Sequence, residues 1–507
     1  MTSRTVLLFL LLIVPVHGQP VATPGFDPVL VADVYSVALA FMAPRTLDPV
    51  PVPLLAVWGL RGLTALDSNL LATQSGDKLV LTAGQRVVAE QLVPTGTAPA
   101  AWAAAAVRLS EAAAAASPAV QKAGTQGIIQ SFFDEMFNHL DPYSRYVPPR
   151  EAAADRAGRN GTAGVGITLM QRGPNLLVQS AIADGPAAMA GVQPGDVIVT
   201  VDGARVRGQD PAAVAALLAG PQGTALQMSW RNEGRLRTAE LDRAMVPPET
   251  VFPQRVGDVL LVRITGFDRS TAAHLAKALR AGMAVASPPA GIIIDLRGNR
   301  GGLLREAVEA ANELLPAGVV AYTAGRDPRA NNVWRSAPGE LARNEPVVLA
   351  IDGRTASAAE ILAAALTDRG RAVAVGSTTL GKGLVQTIAP LPDGGELFVT
   401  WSRVLAPRGW PIQGLGVLPQ VCTSLGEAAL QRQLASLAEG EQLMQRAIDA
   451  ERDARAPLTP DKMLAIRDAC PAGEGREEDL TTARALIENP AAYAAALLPP
   501  LQASTGE

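Results

Sequence analysis

The sequence predicts a multidomain α/β protein, with a β-rich domain before an α/β core and helical regions at both ends. The chain of 507 residues is long for one domain. Short alternating apolar runs, bounded by Gly, Pro, Asn or Asp, fill residues 162–246 and are typical of a small β domain. Strand and helix patterns then alternate over residues 250–420, which is typical of an α/β layer.

Composition limits the classes of function. Hydrophobic residues make up 48% of the chain and charged residues 18%, so the chain can bury sizeable cores. A net charge of −4 argues against a nucleic-acid partner and against binding to anionic membranes. The sequence has three histidines, His17, His139 and His274, and no His/Cys cluster with metal-ligand spacing. We therefore expect no metal or cofactor.

Residues 1–18 predict a secretory signal peptide. Arg4 supplies a positive n-region, Val6–Val14 an apolar h-region, and Val16-His17-Gly18 a cleavage site that leaves Gln19 as the mature N-terminus. The apolar run is short for a transmembrane helix, although an uncleaved anchor is the alternative. We expect a periplasmic or otherwise exported protein with no stable membrane span after cleavage.

The mature chain is predicted to have four regions. They are a mainly helical N-terminal region at 19–157, a β-rich domain at 160–246, an α/β core at 250–425 and a charged helical tail at 426–507. Predicted strands of the β domain and core are Val165–Leu169, Leu176–Ser180, Val197–Val201, Ala225–Trp230, Val259–Ile264, Gly291–Leu296 and Val347–Ile351. Predicted helices are Pro211–Ala219, Ser270–Ala286, Leu303–Leu315 and Ser357–Asp368.

Cys422 and Cys470 are the two cysteines of the chain. In an exported protein an even pair favours one disulfide, which here would tie the tail to the core. Two separate buried thiols are the alternative, because sequence alone does not place them side by side.

Ser357 is the candidate nucleophile. It stands among small residues after a predicted strand, at the start of a helix, where unpaired N–H groups and the positive end of the dipole favour an oxyanion. The alternative is a serine that only caps the helix. Because histidine is so scarce, a serine hydrolase built on this sequence is expected to use lysine as its base.

Lys382 is the candidate base. It lies between Gly381 and Gly383, with apolar residues nearby, and burial there would lower its pKa from about 10.4 toward the 7 to 8 that a general base needs. A surface lysine in a turn is the alternative. Gln386 would share a strand face with Lys382 and could orient its amine, unless it is an ordinary strand glutamine.

The segment Asp295–Gly302 follows a buried strand and precedes a helix. Its glycines allow the backbone to approach a ligand closely. N–H groups at Gly302 and Ala358 would form a two-donor oxyanion hole. A phosphate-binding loop is the rival interpretation, but the spacing fits neither known glycine fingerprint. Asp295 and Arg297 could also simply pair with each other.

Together these motifs resemble the C-terminal processing peptidases, the tail-specific protease family of serine peptidases. The resemblance covers about residues 30–425 and rests on five segments in family order, the last of them weaker: Leu140–Tyr146, Asp295–Leu304, Thr355–Leu366, Thr379–Gln386 and Pro407–Gly414. It implies a crotonase-like α/β protease core. It also implies that Ser357 is the nucleophile and Lys382 the base, that Gln386 orients the lysine, and that Gly302 and Ala358 are the oxyanion donors.

The same resemblance identifies the β-rich domain as a PDZ domain. Ala163–Ile167 matches its carboxylate-binding loop, and Pro186–Ile198 matches its internal helix and turn. Backbone N–H groups in such a loop capture a C-terminal carboxylate, and Val165 and Ile167 would line an apolar pocket. The expected substrate-binding residues are Gly164, Val165, Gly166 and Ile167. Many family members carry an arginine where this chain has Ala219, which puts gating by that residue in doubt.

The sequence therefore predicts an exported serine endopeptidase with a Ser–Lys dyad, which cleaves proteins near apolar C-termini through an acyl-enzyme. A catalytically silent PDZ scaffold in the periplasm is the alternative from another class. A hydrolase of small esters on the same core is a third interpretation. The helical regions are candidates for an adaptor contact or for self-association, and the sequence does not distinguish the two.

Overall fold

The computed structural model describes residues 25–182 and 184–500. These residues form two compact units: one holds the described residues up to 40 together with 51–140, and the second holds 41–50 and the described residues from 141 on. The predicted signal peptide at 1–18 lies outside the described residues. Within the described residues, no helix combines the length and the apolar character that crossing a bilayer requires.

The N-terminal region combines helices with a small antiparallel sheet. Its helices are α1 (Pro28–Met42), α2 (Val52–Arg61), α3 (Leu63–Leu66), α4 (Pro99–Ala116) and α5 (Pro118–Asn138). Its strands, paired in the order β1-β2-β3, are β1 (Leu70–Ser75), β2 (Lys78–Ala83) and β3 (Arg86–Leu92).

These three strands were not predicted from the sequence, which indicated only helices for this part of the region at 19–157. Both connections are two-residue turns in which the glycine has a positive φ, 59° at Gly76 and 58° at Gly84. Such turns match the twist of paired strands and are a hairpin signal that the sequence carried. The alanine-rich pattern of α4, which follows the hairpins, masked it.

The second unit contains the remaining elements. Its helices are α6 (Pro149–Asn160), α7 (Pro186–Met189), α8 (Pro211–Leu218), α9 (Thr271–Met283), α10 (Leu304–Asn312), a 3-10 turn (Pro328–Ala330), α11 (Ala358–Asp368), α12 (Glu427–Ala438), α13 (Gln445–Arg452), α14 (Pro460–Arg467), α15 (Glu477–Glu488) and α16 (Pro490–Ala496). Its strands are β4 (Arg145–Val147), β5 (Thr162–Gly164), β6 (Ile167–Arg172), β7 (Asn175–Ala181), β8 (Val197–Val201), β9 (Ala204–Arg205), β10 (Ala225–Asn232), β11 (Arg235–Asp242), β12 (Ala244–Val246), β13 (Val251–Val256), β14 (Val259–Ile264), β15 (Gly291–Asp295), β16 (Gly318–Ala324), β17 (Asn332–Ser336), β18 (Val347–Ile351), β19 (Ala372–Gly376), β20 (Leu384–Pro390), β21 (Glu396–Leu405) and β22 (Val421–Cys422).

The β-rich domain is an antiparallel sheet with two short helices. Its strands pair in the order β11-β10-β8-β7-β6, with β9 beside β8, and β5 pairs separately with β12. Buried apolar residues from the sheet and from α8 form its own core, including Val165, Leu176, Ile198, Val214 and Trp230. A separate core is what allows such a domain to hold its shape independently of its neighbours.

The sheet of the α/β core has the order β13-β14-β15-β18-β19-β22. All neighbours from β14 to β22 are parallel, while β13 is antiparallel to β14. Strands β15, β18 and β19 lie side by side at its centre. The segments that follow them therefore leave the sheet at the same edge, where α/β proteins place their ligands.

Both faces of this sheet are covered. Ile292 and Ile294 pack with residues of α9, α10 and α11 on one face. Ile293, between them, packs with Leu430 and Leu486 of the tail helices on the other. Two-sided burial explains why the Gly291–Ile294 stretch is continuously apolar rather than alternating. The tail at 426–500 thus supplies the second cover of the core sheet.

A second sheet of the core has the order β17-β16-β21-β20, with β4 paired to β21. The sequence did not predict β16, β17, β19 or β21. Short apolar runs such as Ala372–Gly376 do not distinguish a buried strand from a helix by periodicity. Cys422 and Cys470 form a disulfide, which confirms the predicted link between core and tail.

Candidate active site

Three segments meet at the carboxyl edge of the core sheet. The first turn, residues 296–303, follows β15, and the second turn, residues 352–357, follows β18. The third turn, residues 377–383, follows β19. They carry the sequence-predicted residues Gly302, Ser357 and Lys382.

Backbone and hydroxyl groups join the first turn to the second. The N–H of Ala356 donates to the carbonyl of Asn299 at 2.9 Å. The Thr355 hydroxyl donates to the carbonyl of Leu296 at 2.9 Å. These bonds fix the segment before Ser357 against the glycine-rich segment.

Ser357 has a backbone conformation that side chains rarely adopt, with φ 58° and ψ −119°. Helix α11 begins at the next residue. Gly301 is packed against this position, since a Cβ added to it would lie 2.8 Å from both Ser357 Cβ and Ala358 N. Non-glycine residues at positive φ are strained and recur at functional sites, where the surrounding structure holds them in place. The sequence did not predict this conformation.

The Glu360 carboxylate joins the second turn to the third. Its Oε2 accepts from the N–H of Ser357 at 2.7 Å and from the N–H of Lys382 at 2.9 Å. Its Oε1 accepts from the N–H of Gly381 at 2.6 Å and from the hydroxyl of Thr379. One fully buried side chain therefore holds together the backbones of Ser357 and Lys382.

Opposing effects act on the charge of Glu360. Burial raises the pKa of this carboxyl, and its four hydrogen bonds offset part of that rise. All four partners are groups that donate to it, which is the arrangement a carboxylate needs when it is kept from water. Sequence reasoning gave Glu360 no role. Its position three residues after Ser357 matches the capping-box pattern, which was the available signal.

Lys382 is half-buried in surroundings that favour the neutral amine. Burial is the main cause that lowers the pKa of its ammonium, and the positive charge of Arg145 lowers it further. Glu360 and Asp141 act in the opposite direction. The Lys382 Nζ also lies 4.9 Å from the centroid of the Tyr143 ring. An amine with a lowered pKa can accept a proton near neutral pH.

The predicted oxyanion donors have free N–H groups. Within the described residues, neither the N–H of Gly302 nor that of Ala358 donates to an acceptor. The backbone around Gly302 is held by Phe267, whose N–H donates to Gly301 and whose carbonyl accepts from Leu303. Gly302 has φ 149°, and an added Cβ would lie 2.1 Å from the Phe267 carbonyl oxygen, so the position requires glycine.

Gln386 is placed differently from the prediction. Its amide nitrogen donates to the carbonyl of Leu384 at 3.2 Å and to the hydroxyl of Thr400 at 3.1 Å. Among the described residues its side chain has no hydrogen bond to Lys382. Strand β20 begins at Leu384, so Lys382 lies outside it and the alternation of faces on which the prediction relied does not extend to the lysine.

Asp141 belongs to the same network. It accepts from the Thr400 hydroxyl at 2.6 Å and from the N–H groups of Tyr143 and Ser144. The turn it closes carries the aromatic ring beside Lys382 and the Arg145 charge. The Leu140–Tyr146 motif thus lies on the base side of the site, although sequence reasoning gave its residues no individual role.

The β-rich domain contains a groove of about 520 Å³. Its lining includes all four predicted binding residues and apolar positions on α8 and β12: Gly164, Val165, Gly166, Ile167, Leu218, Ala219 and Val246. Within the described residues the N–H groups of Val165 and Gly166 donate to no acceptor. Free N–H groups beside an apolar groove can receive a carboxylate and a strand-like peptide.

Comparisons with known proteins agree with this architecture. A model of peptidase family S41 matches residues 258–423, and a model of the PDZ domain matches residues 177–232. A carboxy-terminal-processing protease of Bartonella bacilliformis is 33% identical over 303 residues, which cover 58% of this chain and 69% of that protein. The carboxy-terminal processing protease CtpA of Bacillus subtilis is 31% identical over 313 residues, covering 61% and 66%.

Among solved structures, the photosystem II D1 C-terminal processing protease is 30% identical, with 60% of this chain and 86% of that chain covered and a TM-score of 0.34. The family rests on the sequence matches. The chain belongs to peptidase family S41, and its homologues are carboxy-terminal processing proteases. The resemblance that the motifs suggested is confirmed at the level of the family and of the PDZ domain.

We predict that Glu360→Gln lowers the free energy of unfolding by about 1–3 kcal/mol, because an amide nitrogen then faces buried N–H donors. Chemical denaturation of the mature protein measures this. Glu309→Gln is the matched control, since Glu309 forms an exposed ion pair with Arg305 and its loss should cost less than about 0.5 kcal/mol. Equal stability of Glu360→Gln and wild type would contradict the role given to Glu360.

Proposed function

We propose that this protein is an exported serine endopeptidase that cleaves proteins near their C-termini with a Ser357–Lys382 dyad. The observation that carries the proposal is the single carboxylate, Glu360, to which the backbones of both residues are bonded. Membership of the S41 family supports the reaction class. We also assign the core to the crotonase-like fold that the sequence resemblance implies.

The proposed reaction uses these two side chains in turn. Ser357 Oγ attacks the scissile carbonyl carbon while the neutral Lys382 amine accepts the hydroxyl proton. Lys382 then gives that proton to the leaving amine as the peptide bond breaks. An ester between the substrate's acyl group and Ser357 Oγ remains. Water attacks this ester while Lys382 takes a proton from the water, and Lys382 then gives that proton to Ser357 Oγ as the new carboxyl group leaves.

Charge that develops on the carbonyl oxygen is stabilised by the N–H groups of Gly302 and Ala358. Because these two groups have no acceptor among the described residues, they are available without breaking an existing bond. Ala358 N–H also lies in the first turn of α11, where the helix dipole favours negative charge. Losing one such donor typically costs about 3–4 kcal/mol of transition-state stabilisation.

Selection of the substrate is assigned to the PDZ domain. The free N–H groups of Val165 and Gly166 would bind the terminal carboxylate, and the apolar groove would hold the last side chains. Protein substrates with apolar C-termini are therefore the proposed partners. We place the protein in the periplasm or elsewhere outside the cytoplasm, on the basis of the N-terminal pattern and the disulfide.

We predict that the mature protein, starting at Gln19, cleaves an unfolded reporter with an apolar free C-terminus and that Ser357→Ala and Lys382→Ala do not. Mass spectrometry of the products gives the cut sites. Both variants should unfold at the same temperature as wild type, which separates loss of chemistry from loss of fold. Near-normal turnover by Lys382→Ala would reject the dyad, and PDZ-dependent binding without cleavage by wild type would favour the silent scaffold.

The pH profile of kcat/KM is predicted to have an acid limb set by Lys382. Activity rises with pH as the amine loses its proton, and the lowered pKa of Lys382 moves that limb to lower pH. Arg145→Gln removes a positive charge that lowers this pKa, so the limb should move to higher pH. Arg305→Gln, at an exposed site, should leave the limb in place. An unchanged limb in Arg145→Gln would contradict this account.

Amidation of the reporter's C-terminus is predicted to raise KM while kcat changes less. The amide lacks the negative charge that free N–H groups at Val165 and Gly166 would bind. Because amidation changes only the reporter, it tests the role of the PDZ domain without altering the protein. Equal cleavage of acid and amide would remove the argument for PDZ recognition and favour a hydrolase that acts independently of this domain.

A further inference from the structure

The connection between α14 and α15 lies against all three turns of the candidate site. We call residues 470–479 the strap. At the first turn, the Arg297 guanidinium donates to the carbonyl of Arg476 and pairs with Asp479 at 3.4 Å. The same guanidinium holds Asp295 at the end of β15 through two bonds of 2.8 and 2.9 Å.

The strap bonds to the second turn through its backbone. The carbonyl of Gly473 accepts from the N–H of Gly353 at 2.7 Å. The N–H of Gly475 donates to Asp352 Oδ2 at 3.1 Å. The other oxygen of Asp352 accepts from the N–H of Gly298 in the first turn, so this aspartate is shared by both turns and the strap.

At the third turn the contacts come from hydroxyl side chains. The Ser377 hydroxyl donates to the carbonyl of Gly473 at 2.9 Å and accepts from its N–H at 3.0 Å. The Thr378 hydroxyl donates to the carbonyl of Cys470. A ten-residue segment outside the family match at 258–423 therefore contacts the segments that carry Gly302, Ser357 and Lys382.

Both ends of the strap are anchored at the end of the core sheet. Cys470 is joined to Cys422 of β22 by the disulfide. Asp479 Oδ1 accepts from the hydroxyl of Thr423 at 2.7 Å. Residues 471–476 form no helix or strand, so their path depends on these anchors and on the bonds to the turns.

We propose that the strap is a positioning element for the reacting groups and that turnover depends on its anchor, the Cys422–Cys470 disulfide. This rests on the proposed function of the site. Groups that act together in a transition state must be held to a fraction of an ångström, and supporting bonds outside the reacting groups provide that precision. The strap supplies such bonds to all three turns at once.

Hydrogen exchange tests the strap without any assay of activity. In Cys422→Ala/Cys470→Ala, amides of the second and third turns should exchange at least about 10-fold faster than in wild type, because the bonds from Gly353 and around Ser377 open more often. Amides of β10 and β11 in the PDZ domain should be unchanged. Unchanged exchange in all three turns would overturn the proposal.

Turnover of the same reporter is the second measurement. The double cysteine variant should lose about 10-fold to 100-fold in kcat, with KM within about twofold of wild type, at a temperature where it is fully folded. Ser377→Ala, which removes only the contacts with Gly473, should show a smaller loss of the same kind. Glu478→Gln changes an exposed strap residue whose side chain bonds to none of the three turns, so this variant should match wild type.

The outcomes separate the two proposals. If the double cysteine variant does not fold, hydrogen exchange and kcat of Ser377→Ala test the proposal instead. Wild-type values for both would overturn the proposal that the strap positions the turns. Wild-type kcat in a folded double variant would do the same. If wild type itself cleaves nothing, the proposed function fails, while the exchange comparison still decides whether the strap positions the turns.

Discussion

The site depends on one buried carboxylate. Glu360 is removed from water, and an ion there is tolerated only when its oxygens are hydrogen-bonded. Its partners are groups of the second and third turns, so satisfying this charge and bringing Ser357 beside Lys382 are the same requirement. The strained backbone of Ser357 is consistent with this, because its N–H donates to Glu360 at the start of α11.

The same carboxylate lies close to an amine whose pKa is lowered, which at first appears contradictory. A nearby anion favours the ammonium, and Glu360 does act on Lys382 in that direction. Its oxygens, however, are occupied by backbone N–H groups and by Thr379. Burial of the lysine and the charge of Arg145 outweigh it. The site thus uses a carboxylate to hold the Lys382 backbone in place, while the surroundings of the Lys382 amine lower its pKa.

The sequence was informative where a feature is local. The strand end and glycines before Gly302 and the start of α11 at Ser357 were predicted from local patterns, whereas β19, which leads to Lys382, was not. Features that depend on partners distant in sequence were not predictable. The bonding of Gln386 to Thr400 depends on the register of β20 against β21, and no pattern near Gln386 reports it. The N-terminal hairpins did have a local signal, in Gly76 and Gly84, but alanine-rich helices dominated that region.

The tail is the clearest case of a role set by tertiary packing. A parallel sheet needs cover on both faces, and α9, α10 and α11 cover one of them. Ile466 of α14 packs on that side, whereas Leu486 of α15 packs on the opposite face. The chain must therefore cross an edge of the sheet between these helices, and it crosses where β15, β18 and β19 end. A segment that completes the core is thereby placed against the turns that carry the candidate chemistry, and the disulfide at its start ties that crossing to β22.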